Sequence, residues 1–593
     1  MSELRKARVN RRKLVAGASA GAIAMAVGTS GVSAGSSAPS AATNALLAQA
    51  ANIPTPRAET LIIEQGTNNV WDSFNPFIPN GEAYNYGLAQ LSRENMFVVN
   101  FLTGETTPWL ATKYTYNADF TECTLSLNPA VTWSDGKPYT SADVEFTENL
   151  LLKSPNLNGA AGLAEDVTAV KATDPQTVVY TLNKAQPRFH YRFLAGIIAD
   201  ATRILPKHIW EKEDPGTFAF NPPVYTGPYT LQEASSSKLY YVWKKSPNYW
   251  NKAVLDPKPG YVIYTQQTVP DNAVQAFLAG NVDVTSADFL NQQVIASQYD
   301  KTSSYIFPDP CPRGFWFNAE SPSGLFATAE GRLAMSYLID RETIAQTIWQ
   351  PASHAATYPW ADYPGWKKWA PDSVMSKFDV SYNIDKANAL LDKIGATKNG
   401  DTRSLNGKPL VLTMICPAPT NAAEFQIGQT FADAAKQVGI VVNNKSLPGS
   451  AFGDAFDLGD FDLTTHWLCG MQFDPDQLFS GFHSKNYTPI GKRANKGGDP
   501  GKTRFKSAAF DKIIDQMDVV NPDEPKNQAL FEEGLTVFMQ ELPCVPSIQT
   551  LYPFMFNTTY WTGWPDDKNP TTIPANWWGQ FLFTIGNLTA AGS

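Results

Sequence analysis

The chain has few of the residues that form metal and redox sites. Its 593 residues include only five His and five Cys. No two His stand four positions apart, as two ligands on one face of a helix would, and no Cys-x-x-Cys pair occurs. The sequence therefore predicts no metal site and no cofactor held by such ligands.

Motifs of covalent catalysis are scarce as well. Gly31 to Gly35 matches the pattern of a nucleophile elbow, but it falls in an N-terminal segment where no strand-to-helix turn is expected. Gly497 to Thr503 is similar to a phosphate-binding loop, yet Lys496 stands where the first Gly is required and Pro500 lacks a backbone N–H. We expect a protein that is not an enzyme. Paired carboxylates for glycoside hydrolysis meet in space and not in sequence, so a secreted hydrolase stays open as an alternative.

Apolar runs long enough to cross a membrane are also missing. The longest extends from Leu14 to Gly28, 15 residues against the roughly 20 that a spanning helix needs. It follows Arg11-Arg12-Lys13 and precedes Val32-Ser33-Ala34, an order typical of an export signal. Residues 1–34 are therefore predicted to be a signal peptide. Residues 35–57 are rich in Ala, Ser and Pro and are predicted to be a flexible linker.

The signal segment also bears on the export route. Arg11-Arg12 fits a twin-arginine signal, with an ordinary signal that contains three basic residues as the alternative. The first Cys is Cys123, far from the predicted cleavage site, so no acceptor for a lipid anchor is expected there. We expect the protein to be exported, and to be periplasmic or extracellular.

The chain has fewer positively charged residues than negatively charged ones. There are 47 Lys and Arg against 56 Asp and Glu, which gives a net charge of −9. An acidic surface repels phosphate backbones, so nucleic acid is not expected among the partners. Apolar residues make up 43% and charged residues 17%, and a chain of this length and composition predicts a globular protein of two or three domains.

The patterns that are present predict an α/β protein. Strand-like segments such as LIIEQG and KLYYVWKK dominate the part from Thr60 to Leu290. Farther on, LVLTMIC precedes the helical segment EFQIGQTFADAAKQVGI, which ends at Gly439 and leads into the strand-like IVVNNKSL. This order predicts a βαβ unit with parallel strands. A second helix, NIDKANALLDKIGA, is predicted to end at Gly395.

Several segments resemble the family 5 extracellular solute-binding proteins, the receptors of ABC importers for oligopeptides, nickel and oligosaccharides. Each is weak alone, but they occur in the family's order and cover nearly all of the chain after the leader. The segments are VTWSDGKPYTSADVEFT, RILPKHIWEK, VYTGPYTL, KSPNYWNK, AVQAFLAGNVDV, EGRLAMSYLIDRETI, IDKANALLDKIGA and FDPDQLF.

The resemblance implies a two-lobed, periplasmic-binding-protein-like α/β fold of the large three-domain type. It has mixed sheets and an extra α+β domain inserted in the first lobe. The expected boundaries are lobe I at 58–90, 223–310 and 547–593, the inserted domain at 91–222, and lobe II at 311–546. In such a fold a ligand that contacts both lobes stabilises the closed form. The segment Val131 to Thr147 is then expected to be scaffold of the inserted domain.

Two stretches bear on the class of ligand. Peptide-binding members commonly have Trp-Cys-x-Asp or Trp-x-Gly-Asp a few residues before an acidic-Pro step, and that Asp pairs with the peptide amine. Here Met471 stands at that position, and a buried ammonium without a carboxylate partner is costly. The C-terminal stretch NTTYWTGWPDDKNPTTIPANWW resembles that of oligosaccharide-binding members. The resemblance therefore favours an oligosaccharide, with an oligopeptide as the alternative.

Similarity to the family places a set of aromatic and polar residues near the cleft between the lobes. Aromatic faces suit the C–H faces of sugar rings, and amides and carboxylates suit their hydroxyls. For each Trp, ordinary core packing stays open as the alternative. The expected ligand-binding residues are Trp71, Asn75, Trp316, Trp360, Trp467, Met471, Gln472 and Asp474.

The resemblance also bears on the cysteines and the partners. In some peptide-binding relatives a disulfide joins two positions that match Cys311 and Cys469, so this pairing is expected here. Cys123, Cys416 and Cys544 are expected to be buried thiols. The implied partners are the membrane permease and ATPase subunits of an ABC importer. A monomer is expected, because lobe closure must stay free. A sensor built on the same scaffold is a further alternative.

Overall fold

The structure is a computed structural model that describes residues 53–592, except 66–69, 79–81, 197–202, 267–269, 286–298, 349–352, 418–422, 448, 470–473 and 571–572. The predicted signal peptide and most of the predicted linker lie outside the described residues. Within them, no helix has the length and apolar character needed to cross a membrane.

The strands fall along the whole described chain. In chain order they are β1 Thr60–Glu64, β2 Phe97–Val99, β3 Thr106–Pro108, β4 Ala111–Tyr116, β5 Glu122–Leu127, β6 Val167–Asp174, β7 Thr177–Leu182, β8 Ala195–Gly196, β9 Tyr229–Ser235, β10 Tyr240–Lys245, β11 Tyr261–Thr265, β12 Val284–Thr285, β13 Thr302–Pro308, β14 Arg313–Phe317, β15 Ser353–Ala355, β16 Thr397–Asn399, β17 Thr402–Leu405, β18 Lys408–Pro409, β19 Val411–Cys416, β20 Val441–Ser446, β21 Leu463–Trp467, β22 Cys544–Asn557, β23 Trp561–Thr562 and β24 Thr589–Ala590.

The helices are concentrated in the second half. They are α1 Ser141–Lys153, α2 Ala160–Asp166, α3 Lys207–Trp210, α4 Pro270–Leu278, α5 Ala329–Ser336, α6 Arg341–Thr347, α7 Asp372–Met375, α8 Ile384–Lys393, α9 Ala423–Gln437, α10 Ser450–Leu458, α11 Asp476–Gly481, α12 Gly498–Gly501, α13 Ala508–Met517, α14 Pro525–Glu541 and α15 Phe581–Gly586. Shorter 3-10 and π turns lie at Arg57–Glu59, Tyr84–Ser92, His190–Leu194, Leu325–Ala327, Lys367–Trp369 and Ser484–Asn486.

One long sheet connects the two ends of the chain. Its order is β20-β19-β21-β14-β22-β12-β1-β11-β10-β9, and β13 and β15 also pair with β22. The first part of β22 pairs with β14 and β15, and the part from Leu551 to Asn557 pairs with β13. A single strand is therefore hydrogen-bonded to strands of both predicted lobes.

The predicted βαβ unit is confirmed. Strands β19 and β20 pair in parallel, with Val411 opposite Val441, and α9 connects them. Both predicted helix ends are also confirmed, because Gly395 and Gly439 have φ values of 80° and 83°, which favour glycine. The segment Val131 to Thr147 forms a turn and the start of α1, whose N-cap is Thr140 in a capping box with Asp143.

A buried carboxylate links predicted lobe I to the predicted inserted domain. Glu94 accepts hydrogen bonds from the Trp109 indole at 2.8 Å, the Tyr249 hydroxyl at 2.5 Å and the Trp250 indole at 2.9 Å. Burial raises the pKa of Glu94. These donors replace the water that the carboxyl group loses, so the contact joins residues far apart in sequence without an unsatisfied polar group. The domain boundaries themselves stay a prediction.

The pairing of β14 with β22 depends on one glycine. A Cβ on Gly314 would lie 2.5 Å from the Val545 carbonyl oxygen and 2.6 Å from Leu468 Cδ1. Such distances are far inside van der Waals contact, and one of the two neighbours is backbone that cannot move aside. The close approach of the two strands therefore requires the absence of a side chain at this position.

We predict that Gly314→Ala lowers the free energy of unfolding by about 1–3 kcal/mol, because the added methyl group forces β14 and β22 apart. The control is Gly453→Ala in α10, where a Cβ would meet nothing within 4 Å. There the same methyl group should stabilise the protein by about 0.5–1 kcal/mol. Urea-unfolding midpoints of the two variants measure the difference, and equal midpoints would contradict the prediction.

Candidate ligand-binding site

The candidate site lies where strands of both halves of the long sheet end. In α/β sheets ligands bind beyond the carboxyl ends of parallel strands. Strand β21 runs parallel to β19 and ends at Trp467, while β1 runs parallel to β11 and β12 and ends at Glu64. Because β14 pairs antiparallel with β21, Arg313 at its start lies opposite Trp467. This brings a guanidinium group and an indole together at the end of the sheet.

Trp467 presents its ring to solvent. Its exposed fraction is 39%, and it is the one exposed Trp among those that the structure describes. The Arg313 guanidinium carbon lies 5.1 Å from the ring centroid. Trp316 donates its indole N–H to the Trp467 carbonyl oxygen at 3.0 Å. An exposed ring held from two sides is a ready platform for a planar or ring-shaped ligand.

Arg313 is buried, and all three nitrogen atoms of its guanidinium group donate hydrogen bonds. Its Nη1 donates to Asp309 Oδ2 at 2.7 Å, its Nε to Glu424 Oε1 at 3.2 Å and its Nη2 to the Tyr552 hydroxyl at 3.2 Å. Burial alone would lower the pKa of Arg313, but the charge of Asp309 raises it. The guanidinium pairs with both carboxylates, so each of the three side chains has a partner of opposite charge, and the cluster as a whole keeps one net negative charge.

The line of aromatic rings continues from Trp467 toward predicted lobe I. Tyr552, on the second part of β22, lies with its ring centroid 6.5 Å from that of Trp577 at an interplanar angle of 86°. Trp577 also packs on Phe554, 5.7 Å away. We name Trp467, Tyr552 and Trp577, with Arg313 between the first two, the aromatic row. It extends from predicted lobe II to predicted lobe I.

The disulfide that the resemblance implied is present beside this row. Cys311 and Cys469 are bonded, with a Cα–Cα distance of 4.6 Å. Cys311 lies two residues before Arg313, and Cys469 lies two residues after Trp467. The bond thus ties together the two chain segments that carry the guanidinium and the exposed indole. The other three cysteines are buried thiols, as expected.

Trp71 lies on predicted lobe I. It is half-buried and stacks face to face on Tyr241, with ring centroids 4.8 Å apart and an interplanar angle of 4°. The outer face of the Trp71 ring is not covered by another ring among the described residues. Trp71 and Trp467 therefore keep their status as candidate ligand contacts.

Three other candidates are corrected by the structure. Asn75 is fully buried, and its amide N–H groups donate to the carbonyl oxygens of Pro215 and Phe218. Trp316 is also fully buried, so it positions Trp467 and cannot stack on a ligand itself. Trp360 is 1% exposed and has no open ring face. It packs against Tyr358, and both residues line a cavity. Core packing explains the two Trp better than the stacking role that their residue type suggested.

Asp474 is corrected as well. It is buried, and its Oδ2 accepts from Arg188 Nε at 3.0 Å. Arg188 also donates to the Asn527 side chain, and it comes from the predicted inserted domain. Asp474 is therefore committed to an ion pair inside the protein and does not face a ligand. Met471 and Gln472, the two remaining candidates, lie outside the described residues.

A second ion pair reinforces the first. Arg192 Nη2 lies 2.9 Å from Asp476 Oδ2, at the start of α11. Burial raises the pKa of Asp474. Burial would likewise raise the pKa of Asp476, but the charges of Arg188 and Arg192 hold it below its ordinary value. Arg188, Asp474 and Asp476 are buried, and the Arg192 side chain is 32% exposed at their edge; we name these four residues the buried charge cluster.

Sequence reasoning missed Arg313, Tyr552 and Trp577. Arg313 bonds to Glu424 and Tyr552 across 111 and 239 residues of sequence, so no local pattern indicates that they meet. Two signals were available: Arg313 is a charged residue at the start of the apolar segment RGFWF, and Trp577 lies in the C-terminal stretch NTTYWTGWPDDKNPTTIPANWW. No group of three or more His, Cys, Asp or Glu that could hold a metal ion occurs in the described part of the chain.

Comparison with known families identifies the class of protein. The sequence profile of bacterial extracellular solute-binding proteins, family 5 Middle, matches residues 105–489. The chain belongs to this family. A probable ABC transporter-binding protein of Deinococcus radiodurans is 27% identical to it over 419 residues, which cover 65% of this chain and 69% of that protein.

Two solved structures confirm the predicted fold class of this family 5 protein. A periplasmic oligopeptide-binding protein of an oligopeptide ABC transporter from Thermotoga maritima has a TM-score of 0.78 and 23% identity, and covers 90% of this chain and 100% of its own. A structure of the Thermotoga protein with mannohexaose bound has a TM-score of 0.72 and 24% identity, and covers 91% of this chain and 100% of its own.

We predict that Arg188→Leu destabilises the protein by about 3–5 kcal/mol, because it leaves Asp474 buried without its cation. The matched control is Arg493→Leu, which removes an Arg from an exposed pair with Asp454. Water and salt screen that pair, so the control should leave the urea-unfolding midpoint nearly unchanged. Equal shifts in the two variants would show that the buried charge cluster contributes no more than a surface ion pair.

Proposed function

We propose that this protein is the exported substrate-binding receptor of an ABC importer and that it captures a neutral oligosaccharide between its two lobes. Its family supports the receptor role. The Thermotoga maritima relative of the same fold, which has been solved with mannohexaose bound, supports a sugar as a ligand that this architecture can hold. In this proposal no covalent chemistry takes place, and the membrane permease recognises the closed form.

One observation carries the choice of a neutral ligand. In the described residues around Trp467, the carboxylates of Asp309 and Glu424 both pair with Arg313, so each already has a partner of opposite charge. What this part of the site offers is an exposed indole face and polar edges. Sugar rings suit such a surface, because their C–H faces pack on aromatic rings and their hydroxyls exchange hydrogen bonds with polar groups at the rim.

An oligopeptide is the second candidate, and the name of the Thermotoga relative favours it. A peptide brings a terminal ammonium group that needs a carboxylate partner once it is buried. Asp474 was the acid that could have replaced the missing Asp at position 471, but it is paired with Arg188. A peptide ligand would have to break this pair or the one at Arg313, which makes the oligosaccharide the better-supported class.

Lobe closure follows from the proposed domain boundaries. Trp71 belongs to lobe I, and Trp467 belongs to lobe II, while β22 connects the two. A ligand that touches both rings stabilises the closed form by its differential affinity for that form. The export signal proposed for residues 1–34 would place the receptor outside the cytoplasm.

We predict that a thermal-shift screen of the protein without residues 1–34 gives its largest response with manno-, cello- or xylo-oligosaccharides. Di- to pentapeptides serve as the comparison. A ligand present at 100 times its dissociation constant stabilises the folded state by about 2.7 kcal/mol, which a melting curve detects. A response to peptides without any response to sugars would overturn the oligosaccharide proposal and support the second candidate.

We predict that Trp467→Ala and Trp71→Ala each weaken binding of the responding oligosaccharide about tenfold, equivalent to about 1.4 kcal/mol, because each removes one stacking face. Isothermal titration calorimetry measures the change. Tyr382→Ala removes an aromatic ring that is 40% exposed and lies outside the candidate site, so it should leave affinity unchanged. Unchanged affinity in both Trp variants would remove these residues from the site.

A further inference from the structure

The predicted inserted domain contacts predicted lobe II directly, in addition to its contact with lobe I. The first of two contacts lies beside β22, where the Phe101 ring packs on Tyr363 and Trp366 with ring centroids 5.6 Å and 5.4 Å apart. Tyr363 donates its hydroxyl to the carbonyl oxygen of Pro308, and Pro308 pairs with Leu551 of β22. A rotation of the lobes about β22 would therefore move this contact only a short distance.

The second contact is made by Arg188, which the inserted domain extends into lobe II. Its Nε donates to Asp474 Oδ2 at 3.0 Å, its Nη1 to the Met517 carbonyl oxygen and its Nη2 to Asn527 Oδ1. All three acceptors belong to lobe II, and Arg188 itself is only 3% exposed. The guanidinium group is therefore enclosed by a domain other than its own, and these three hydrogen bonds would break if the two domains separated.

Arg192 lies between two carboxylates in the same interface. Its Nη2 lies 2.9 Å from Asp476 Oδ2 of lobe II, and its Nη1 lies 3.9 Å from Asp166 Oδ2 of the inserted domain. The Gln186 side chain of the inserted domain forms hydrogen bonds with both Arg192 and Asp166. Arg192 is thus bonded to a carboxylate of the other domain, while a carboxylate of its own domain is within reach of a small side-chain movement.

The Glu94 contact determines which of these interfaces can open. Because Glu94 of the inserted domain accepts from Tyr249 and Trp250 of lobe I, these two domains are expected to move together. Movement of lobe II away from them would then pull the buried charge cluster apart and return its charges to water. Desolvation offsets much of the attraction in a buried ion pair, so such a cluster can separate at a small net cost, as long as no charge is left buried alone.

We propose that the buried charge cluster is a latch between the inserted domain and lobe II. In the closed form Arg188 is paired with Asp474 and Arg192 with Asp476, and in the open form Arg192 moves to Asp166. The four residues of the cluster are positioning residues, because they shift the balance of closed and open forms without contact with the ligand. Apparent affinity scales with the closed fraction, so the latch sets how tightly a given ligand binds. The inference rests on the lobe closure in the proposed function, but not on the choice of a sugar as the ligand.

Two matched substitutions at the partners of Arg192 test the latch. Asp476→Asn removes the charge of the partner in lobe II, and Asp166→Asn removes the charge of the partner in the inserted domain. The control is Asp392→Asn, which removes a carboxylate beside the buried Arg403 inside lobe II. A melting curve of each variant establishes that it folds. Arg192→Gln changes a side chain that is 32% exposed and serves as a second opening variant if Asp476→Asn fails to fold.

The readout is the distance between spin labels on the two sides of the cluster, measured by pulsed electron paramagnetic resonance without ligand. Lys171→Cys in β6 and Lys512→Cys in α13 carry the labels, because both lysines are exposed. The three native free cysteines are buried, so the introduced cysteines are the ones labelled. Titration calorimetry with mannohexaose measures affinity in the unlabelled variants.

We expect Asp476→Asn to shift the unliganded molecules toward longer distances and to weaken mannohexaose binding about tenfold, through a tenfold smaller closed fraction. Asp166→Asn should keep or shorten the wild-type distance without weakening binding, and Asp392→Asn should change neither. An unchanged distance in the opening variant that folds, or an equal lengthening by Asp166→Asn, overturns the latch. Variants that shift as expected, in a protein that does not bind mannohexaose, overturn the choice of this sugar and support the latch.

Discussion

The strand Cys544–Asn557 is the constraint on which the rest of the molecule depends. Its 14 residues pair with β14 and β15 over the first part and with β13 over the second, so one strand belongs to both halves of the long sheet. Relative motion of the proposed lobes must bend this strand without breaking its ladders. The change of partners falls near Thr550, where we propose that the strand bends, and Arg313, Gln549 and Tyr552 form hydrogen bonds beside it.

Buried guanidinium groups organise the charge of the protein around this strand. Arg313 pairs with both Asp309 and Glu424, and Arg188 pairs with Asp474. Ion pairs in such positions gain little net stability, because desolvation offsets their attraction, but removal of one partner is costly. Their consequence here is for recognition: the carboxylates that a cationic ligand would seek are already paired. Aromatic faces and hydrogen-bonding edges are then what the site has left to offer.

Helices and strand pairs formed by neighbouring segments could be predicted from the sequence, and contacts between distant segments could not. The helix Ile384–Lys393 and the parallel pair β19 and β20 followed from hydrophobic spacing and from glycines at the helix ends. The disulfide followed from resemblance alone. Trp316 and Trp467 have the same residue type, and sequence could not separate the buried one from the exposed one. Asp474 looked available because its partner, Arg188, lies 286 residues away.

Exposure rather than abundance separates the aromatic residues that we propose for ligand binding from those of the core. The chain has 16 Trp, and most of those that the structure describes are packed in the core. Leaving a large apolar ring in water forgoes about 25 cal/mol for each Å² of apolar surface, and Trp467 is the one exposed Trp among those that the structure describes, so we propose its ring as a contact for the ligand. Trp467 is held by the Trp316 indole at its carbonyl oxygen, by Arg313 beside its ring and by the disulfide two residues on. Under the proposed function, a platform this well fixed loses little conformational entropy when a ligand stacks on it, so more of the binding free energy is available to stabilise the closed form.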